Sequence, residues 1–591
     1  MNMKRLFTSC IILLATLPML AQGWPEKYEG VMLQGFYWKS FADTKWTNLE
    51  SQADELSQFF DLIWVPNSAY ANDLKDNMGY HPVYWFDHKS AFGTEAELRS
   101  MIQTFKQKGT GIIEDVVINH RASVDNNWLN FPAETYKGTT YQLTAADICK
   151  DDEAKDNGFK PSGANDTGDN WGGARDLDHT SENVQKNVKA YLDFLMNDLG
   201  YTGFRYDFVL GYGAKYIGIY NHAAQPKFSV MECWKDYNTI VNYINGSKYD
   251  GVIQSAAFDF PMKNNINDVF ANASNWSKLN NSALCTNSQM ARYAVTFVDN
   301  HDTGRQGESP LYANVEAANA YMLMLPGTPC VWLSHWKTYK NTIKKLILIR
   351  KAAGIHNQSE IITREANNNG YLLIVKGNKG KVALVLGKPE IGFNNAEDQY
   401  HEVLSGTNFS LSVSKDVDVS GLDNIKDDAF TAPDCCVVNE GEVCAFFEAP
   451  TSFTNVKCWA WDAKNNYTGG SWPGAACTKV GTHNGKNVWK WTYSGTLTSL
   501  PTNIIFSNNG ASQTSDLDFS NGGYYNEAGA IQGVVTGIFT VKTTASQGQL
   551  LRVYTIGGHL LRVMPAGTSV NEALNQLGHG LYIINGKRYV K

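Results

Sequence analysis

At 591 residues, with 43% apolar and 18% charged side chains, the chain is too long for one hydrophobic core and too apolar to be disordered. Its formal charge of −7, with no long basic run, excludes nucleic acid as the main partner. The 16 Trp, 29 Tyr and 27 Phe are an excess that suits stacking on sugar rings and also plain core filling.

Residues 1–21 read as a secretory leader. Lys4 and Arg5 precede the apolar stretch Leu6 to Ala15, and Pro18-Met19-Leu20-Ala21 forms the exit, with cleavage after Ala21. The stretch is too short to span a bilayer and no later run reaches that length, so no transmembrane anchor is expected. Of the ten cysteines one, Cys10, lies in the leader, and the remaining odd number cannot all pair. In an oxidising compartment Cys458 with Cys477, and some pairing among Cys435, Cys436 and Cys444, are reasonable. Cys149, Cys233, Cys285 and Cys330 read as buried thiols.

Apolar runs then recur as strands at Val31–Phe36, Leu62–Pro66, Gly111–Ile118, Tyr201–Asp207, Phe228–Glu232, Ser255–Phe260, Ala294–Asp299 and Thr328–Leu333. Amphipathic segments alternate with them: Glu95–Lys108 puts Leu98, Ile102 and Phe105 on one face, and Glu182–Leu199 feeds the fourth run. Eight such units predict an α/β fold, a (β/α)8 TIM barrel over 22–355. A doubly wound sheet would want a Gly-rich phosphate turn after the first strand, and none is present. The segment 121–180 is too long for a connector and reads as an inserted subdomain rich in Asp, Asn and Gly. From about 356 the pattern turns to small antiparallel β domains: a sheet domain over 356–450 (Tyr371–Lys376, Lys381–Leu386, Val443–Phe447), a Trp-rich module over 451–529, and a final β segment over 530–591 with turns at Gly557-Gly558 and Gly578-His579-Gly580.

The charged residues cluster at strand ends. In Gly203-Phe204-Arg205-Tyr206-Asp207, period-two alternation puts Arg205 and Asp207 on the same side of a buried strand. Two inward charges are costly unless paired or used, so the pair is either a structural salt bridge or part of a site. Asp115-Val116-Val117-Ile118-Asn119-His120, Met231-Glu232 and Asn300-His301-Asp302 each close another apolar run, at the barrel end where such folds carry chemistry.

These four motifs, in this order, resemble those of the alpha-amylase family of glycoside hydrolases over roughly residues 27–390. Leu33-Gln34-Gly35-Phe36, Asp207-Phe208-Val209-Leu210-Gly211-Tyr212 and Ala174-Arg175-Asp176-Leu177-Asp178-His179 look closest to the plant-type enzymes and their bacterial relatives. The resemblance implies Asp207 as nucleophile, Glu232 as general acid/base and Asp302 as the carboxylate that holds sugar hydroxyls. It implies substrate contacts from Tyr80, His120 and His301, with Arg205 keeping Asp207 ionised. It implies calcium as cofactor: Asn119, Asp166, Asp176 and the Gly211 carbonyl around one ion, Asp152 with Asp176 at a second. A solvated acidic loop is the other reading of that segment. Asn170 stands where the plant pattern carries an aspartate, a departure that bears on the second ion.

The 451–529 segment resembles a starch-binding β-sandwich module, through Cys458-Trp459-Ala460-Trp461, Trp472-Pro473-Gly474 and Val488-Trp489-Lys490-Trp491. Trp459, Trp461 and Trp472 are expected to form the sugar platform, with the Trp489 and Trp491 pair, which share one face, in the core. Residues 530–591, through Leu551–Gly558 and Leu577–Ile584, resemble a type IX secretion sorting domain, implying the outer-membrane secretion machinery as partner and a secreted or cell-surface location. Together these describe a secreted, endo-acting, calcium-dependent monomer cutting internal α-1,4 bonds of starch and maltooligosaccharides with retention. A glucanotransferase on the same scaffold, or a barrel that only binds glycan, are the alternatives.

Overall fold

The structure, a computed structural model, describes residues 23–535 except 73, 152, 306, 389–398, 426–431, 440–441, 484, 496–499, 515 and 527–530, and beyond 535 only 551–555, 560–564, 573–574, 581–584 and 587–590. The leader expected at 1–21 and the glycine turns at 557–558 and 578–580 lie outside the described residues. The chain divides into two compact units, 1–427 and 428–591.

In the first unit eight parallel strands close a barrel: β1 (Met32–Gln34), β2 (Leu62–Val65), β3 (Gly111–Val116), β4 (Gly203–Tyr206), β5 (Phe228–Met231), β6 (Ala256–Phe258), β7 (Ala294–Phe297) and β8 (Thr328–Trp332). Neighbours in space are neighbours in sequence, and β8 closes on β1. The expected (β/α)8 TIM barrel is the fold. Strands such as β2, β4 and β5 are buried at every position, because helices cover one face and the barrel interior the other. The helix Glu95–Gln107 starts at a capping box between Thr94 and Glu97 and buries Leu98, Met101, Ile102 and Phe105. The helix Glu182–Asp193 starts on Ser181 and runs into a π-helical turn, Phe194–Leu199. It stops at Gly200, whose φ of +89° suits only a residue without Cβ, and the chain then enters β4.

Register decides what meets at the rim. Arg205 on β4 lies opposite Asp115 on β3 and Val230 on β5. The ladder continues one residue further, with Asp207 N donating to Val116 O and Glu232 N to Tyr206 O, each at 3.0 Å. Both carboxyl groups therefore stand at the C-terminal ends of their strands. The inserted segment returns to the barrel through a two-residue pairing, His120–Arg121 with Arg175–Asp176. Buried Arg121 pairs with Glu134 at 2.9 Å and lies over Trp85, and Arg175 lies over Phe131, so planar cations help to fill this small subdomain. A five-stranded antiparallel sheet (Glu360–Ala366, Gly370–Lys376, Lys381–Gly387, Phe409–Val413, His401–Gly406) adds Leu373, Val375, Leu384 and Leu411 to the same core.

In the second unit two sheets form a sandwich. One orders Thr478–His483, Lys486–Thr492, Cys444–Glu448, Gly523–Tyr525 and Ile531–Val534; the other orders Ala475–Ala476, Val456–Trp461, Asn503–Asn508 and Leu517–Asp518. Phe447, Trp491, Cys458, Ala460, Ile504 and Phe506 fill the space between them. The strand near 443–447, read in sequence with the preceding sheet, pairs instead with Lys486–Thr492. Its apolar run is needed to complete the sandwich core, which local pattern cannot reveal. Strands Leu551–Thr555, Leu560–Met564, Leu581–Ile584 and Lys587–Val590 form a separate antiparallel sheet. No disulfide joins the described cysteines. Among the described residues no helix is long and apolar enough to cross a membrane.

Candidate active site

One buried guanidinium organises the barrel rim. Arg205 Nη1 donates to Asp115 Oδ1 at 2.6 Å and to Asp207 Oδ1 at 2.7 Å, while Nη2 lies 2.7 Å from Glu232 Oε1. The alternation read from the sequence therefore holds, and the pair is not isolated: one cation serves three carboxyl groups. Arg205 also lies over the Trp64 ring, 5.0 Å from its centroid. Glu232 Oε2 accepts the Phe208 backbone N–H at 3.0 Å. That bond exists because Phe208 sits at φ +41°, a left-handed conformation rare for an aromatic residue and a local strain stored beside the site.

Burial raises both Asp207 and Glu232 well above the ordinary carboxyl range, with Arg205 opposing the shift in each. Asp115 is raised to about 6 for the same reason. One guanidinium cannot neutralise three carboxylates, so near neutral pH the cluster retains a proton, the condition for one group to act as acid while another is an ionised nucleophile.

Asp302 arrives on the turn after β7. Asn300 Oδ1 accepts the Asp302 and Thr303 backbone N–H groups, Thr303 Oγ1 donates to Asp299 Oδ1, and buried Lys263 pairs with Asp299 at 2.7 Å. His301 is held by its two nitrogens. Gln34 Nε2 meets Nδ1 at 2.8 Å, which places the proton on Nε2, next to Tyr80 Oη at 2.6 Å and Asp302 Oδ2 at 3.2 Å. Tyr80 donates in turn to Asp115 Oδ2 at 2.8 Å. Burial holds both His301 and His120 down at about 4, so each is a neutral ring. His120 Nε2 donates to the Tyr80 carbonyl at 2.9 Å and its ring stacks on Trp171 at 4.1 Å.

A cleft of about 550 Å3 joins Asp207, Glu232, Asp302, Tyr80 and His120, and Trp38, Trp171, Trp234, Lys235 and Arg305 also line it. The structure thus brings the seven site residues expected in the barrel to one place, with Arg205 beneath the cleft and His301 behind Asp302. The sequence reading missed Trp38, Trp171, Lys235 and Arg305. A tryptophan amid the Asp, Asn and Gly of the insert was a usable signal for Trp171, though Trp128 shares that setting; Arg305 offered none.

The oxygens expected to bind calcium lie where the insert meets the barrel. Asn119 Nδ2 donates to Asp176 Oδ1 at 2.8 Å, which leaves its Oδ1 against the Gly211 backbone, so close that a Cβ there would sit 2.0 Å from it. Gly168, which donates to Asp166 Oδ1, abuts the Gly211 carbonyl. Asp166 Oδ2 is buried without a hydrogen-bond partner, and burial raises the Asp166 carboxyl. Among the described residues no three carboxylate, imidazole or thiol side chains form a metal cluster. The donors here are an amide, a carbonyl and carboxylates, hard oxygens that suit calcium, and the orphaned carboxylate oxygen fits a cation. Asp152 lies outside the described residues.

In the second unit Val456, Cys458 and Ala460 point inward, which leaves Trp459 and Trp461 on the outer face. Trp472 is 43% exposed and meets Trp459 with ring centroids 6.0 Å apart at 66°. Trp491 is buried in the sandwich core, with Trp489 packed against it.

Residues 59–359 match the family model described as alpha amylase, catalytic domain, and residues 445–519 match starch-binding module 26. The chain is 32% identical over 370 residues to probable alpha-amylase 2 of Arabidopsis thaliana, covering 58% of this chain and 86% of that one. It is 28% identical over 403 residues to the chloroplastic alpha-amylase 3 of the same plant, covering 64% and 44%. To the glucan 1,4-alpha-maltotetraohydrolase of Stutzerimonas stutzeri it is 27% identical over 398 residues, covering 61% and 69%.

The raised Glu232 carboxyl has a stability consequence. Its folded pKa, about 7, exceeds the ordinary 4.5, so between those values the folded state holds the extra proton and stability falls as pH rises. Glu232→Gln removes that burden. Its unfolding midpoint should exceed that of the unsubstituted protein by several degrees at pH 8 and equal it near pH 4, as read by calorimetry.

Proposed function

The chain belongs to the alpha-amylase family, and from that premise we infer that it is a glycoside hydrolase, an endo-acting alpha-amylase on starch, held to its substrate by its own starch-binding module. The observation that carries the reading is the single Arg205 guanidinium bridging Asp207 and Glu232, each at 2.7 Å. We assign Asp207 as the nucleophile: its carboxylate, kept charged by Arg205, attacks the anomeric carbon and forms a glycosyl-enzyme. Glu232, burdened by burial, gives its proton to the departing glycosidic oxygen and then takes one from the attacking water, so two inversions give net retention. Asp302 holds the hydroxyls of the same sugar and favours the positive charge that develops on its ring. Tyr80 supplies the aromatic wall. His120 and His301, both neutral, orient the hydroxyl-binding groups, His120 through the Tyr80 carbonyl and His301 through Tyr80 and Asp302.

Asn119, Asp166, Asp176 and Gly211 would hold a calcium ion, whose chemistry there is structural: a cation that ties the insert to the barrel. Asp152 and Asp176 would hold the second. We propose further that the protein is exported, that its C-terminal sheet is a type IX sorting address, and that it works as a monomer. The leader pattern and the motifs around Leu551 and Leu581 support export.

Starch incubated with the purified protein should lose viscosity rapidly and yield α-anomeric maltooligosaccharides, and Asp207→Asn should abolish this by at least about 10⁴-fold. Starch bound without new reducing ends would overturn the hydrolase reading. New glycosidic bonds to an added acceptor at the expense of hydrolysis would make it a transferase. In the same assay Trp472→Ala should weaken sedimentation with granular starch by roughly tenfold and leave hydrolysis of soluble maltooligosaccharides intact. Chelation of calcium should lower the unfolding midpoint and restore it on calcium addition; an unchanged midpoint would remove the ion from the account.

A further inference from the structure

Arg305 is a cation that the barrel motifs do not call for, placed three residues past Asp302. Its Nη2 donates to Asp302 Oδ1 at 2.7 Å, and its guanidinium lies over the Trp38 ring, 4.7 Å from the centroid. The turn that carries it is firmly mounted. Arg305 N donates to the Asp302 carbonyl at 3.1 Å, and the Asn300, Thr303, Asp299 and Lys263 contacts hold the turn from behind. The side chain itself is 40% exposed and lines the same cleft as Asp207 and Glu232.

A salt bridge this exposed contributes little, so stability alone is a weak reason for its presence. Its chemistry points elsewhere. A guanidinium carries five N–H donors; Nη2 meets the Asp302 carboxylate and Nε points at the Asp302 carbonyl at 3.5 Å, which leaves the Nη1 donors for a ligand. Beside those donors stands the Trp38 ring, nearly parallel to Tyr80 (1°), which is nearly parallel to His301 (10°). Donors on a part-exposed side chain that lines the cleft, next to flat apolar walls, match a pyranose, which offers hydroxyl acceptors at its edge and an apolar face.

We propose that Arg305, with Trp38, forms the binding place for the glucose unit neighbouring the one held at Asp302, and so sets the shortest chain cut efficiently and the bond that is cut. Arg305 is then a specificity-determining residue that touches substrate, an inference that rests on the hydrolase reading above. The competing role is positional: Arg305 only fixes the Asp302 carboxylate.

The two roles separate in kinetics on chains of defined length. Arg305→Ala and Arg305→Lys are compared with the unsubstituted protein on maltotriose through maltoheptaose and on soluble starch, scoring kcat, KM and the position of each cleavage. A lost charge-assisted hydrogen bond corresponds to a fall in kcat/KM of roughly ten- to a hundredfold. That fall is expected for the shorter chains in the alanine variant, mainly in KM, together with a shift in the bond cut. Starch, which can engage other subsites, should change little, and lysine should restore part of the loss. A fall in kcat of equal size on every substrate, with the cleavage pattern kept, would overturn the proposal in favour of the positional role. Unchanged kinetics would overturn it outright. Should the alanine variant fail to fold, Arg305→Gln keeps a donor of similar reach and must give the same length-dependent pattern, smaller in size. If the unsubstituted protein cuts none of these chains, the hydrolase reading fails first, and the two failures are distinct.

Discussion

The site depends on one buried cation. Arg205 is 1% exposed and reaches Asp115, Asp207 and Glu232 with two nitrogens. Removing Arg205 would leave buried carboxyl groups without a cation in a dry interior, which costs several kcal/mol, whereas the intact cluster balances desolvation against attraction at close range. This ties three neighbouring strands to one register. A slip of β4 by one residue would turn Arg205 and Asp207 to the other face and strand Asp115 alone. The Asp207 and Glu232 backbone bonds to β3 and β4, each at 3.0 Å, fix the same register independently of the side chains.

The remaining groups come from loops, and each loop has its own anchor. Asp302 rides on a turn held by Asn300 and by the buried Lys263–Asp299 pair. His120 begins the short pairing that returns the insert to the barrel, and Trp171 from that insert stacks on it. Tyr80 is fixed between Asp115 and His301 through its hydroxyl. Rigid strands thus supply the two carboxyl groups proposed to exchange bonds and protons, while braced loops supply the groups proposed to recognise sugar. That division lets the recognition surface change without disturbing the reacting pair.

What could be read from the sequence follows from range. Period-two alternation placed Arg205 with Asp207, and it equally placed Trp459 and Trp461 outside while Cys458 and Ala460 went inside, because strand geometry depends on local pattern alone. The helical segments from Glu95 and from Glu182 were legible for the same reason. The partition of the strand Cys444–Glu448 was not, since its apolar run fits either sheet until its partner Lys486–Thr492 is known. Nor was the sharing of Arg205 among three carboxyl groups on three strands, or the position of Arg305 over Trp38, separated from it by most of the barrel. Those facts belong to closure of the barrel, which no window of sequence contains.

The two sugar-facing surfaces follow one geometric rule with opposite content. In the barrel the inward side of β4 carries charge, and the resulting cluster gains strength from exclusion of water but must be balanced charge by charge. On the sandwich the outward side of Val456–Trp461 carries indoles, which need no balancing and gain only from the apolar area they cover. On the proposed function the first surface polarises and cleaves a bond but is short. The second cannot react but offers a contact that remains while products leave. Linking them in one chain makes rebinding of the reacting site to a polymer intramolecular, so a modest affinity at the Trp459–Trp472 platform raises the local concentration of bonds at Asp207 and Glu232 without any change in the cleft itself.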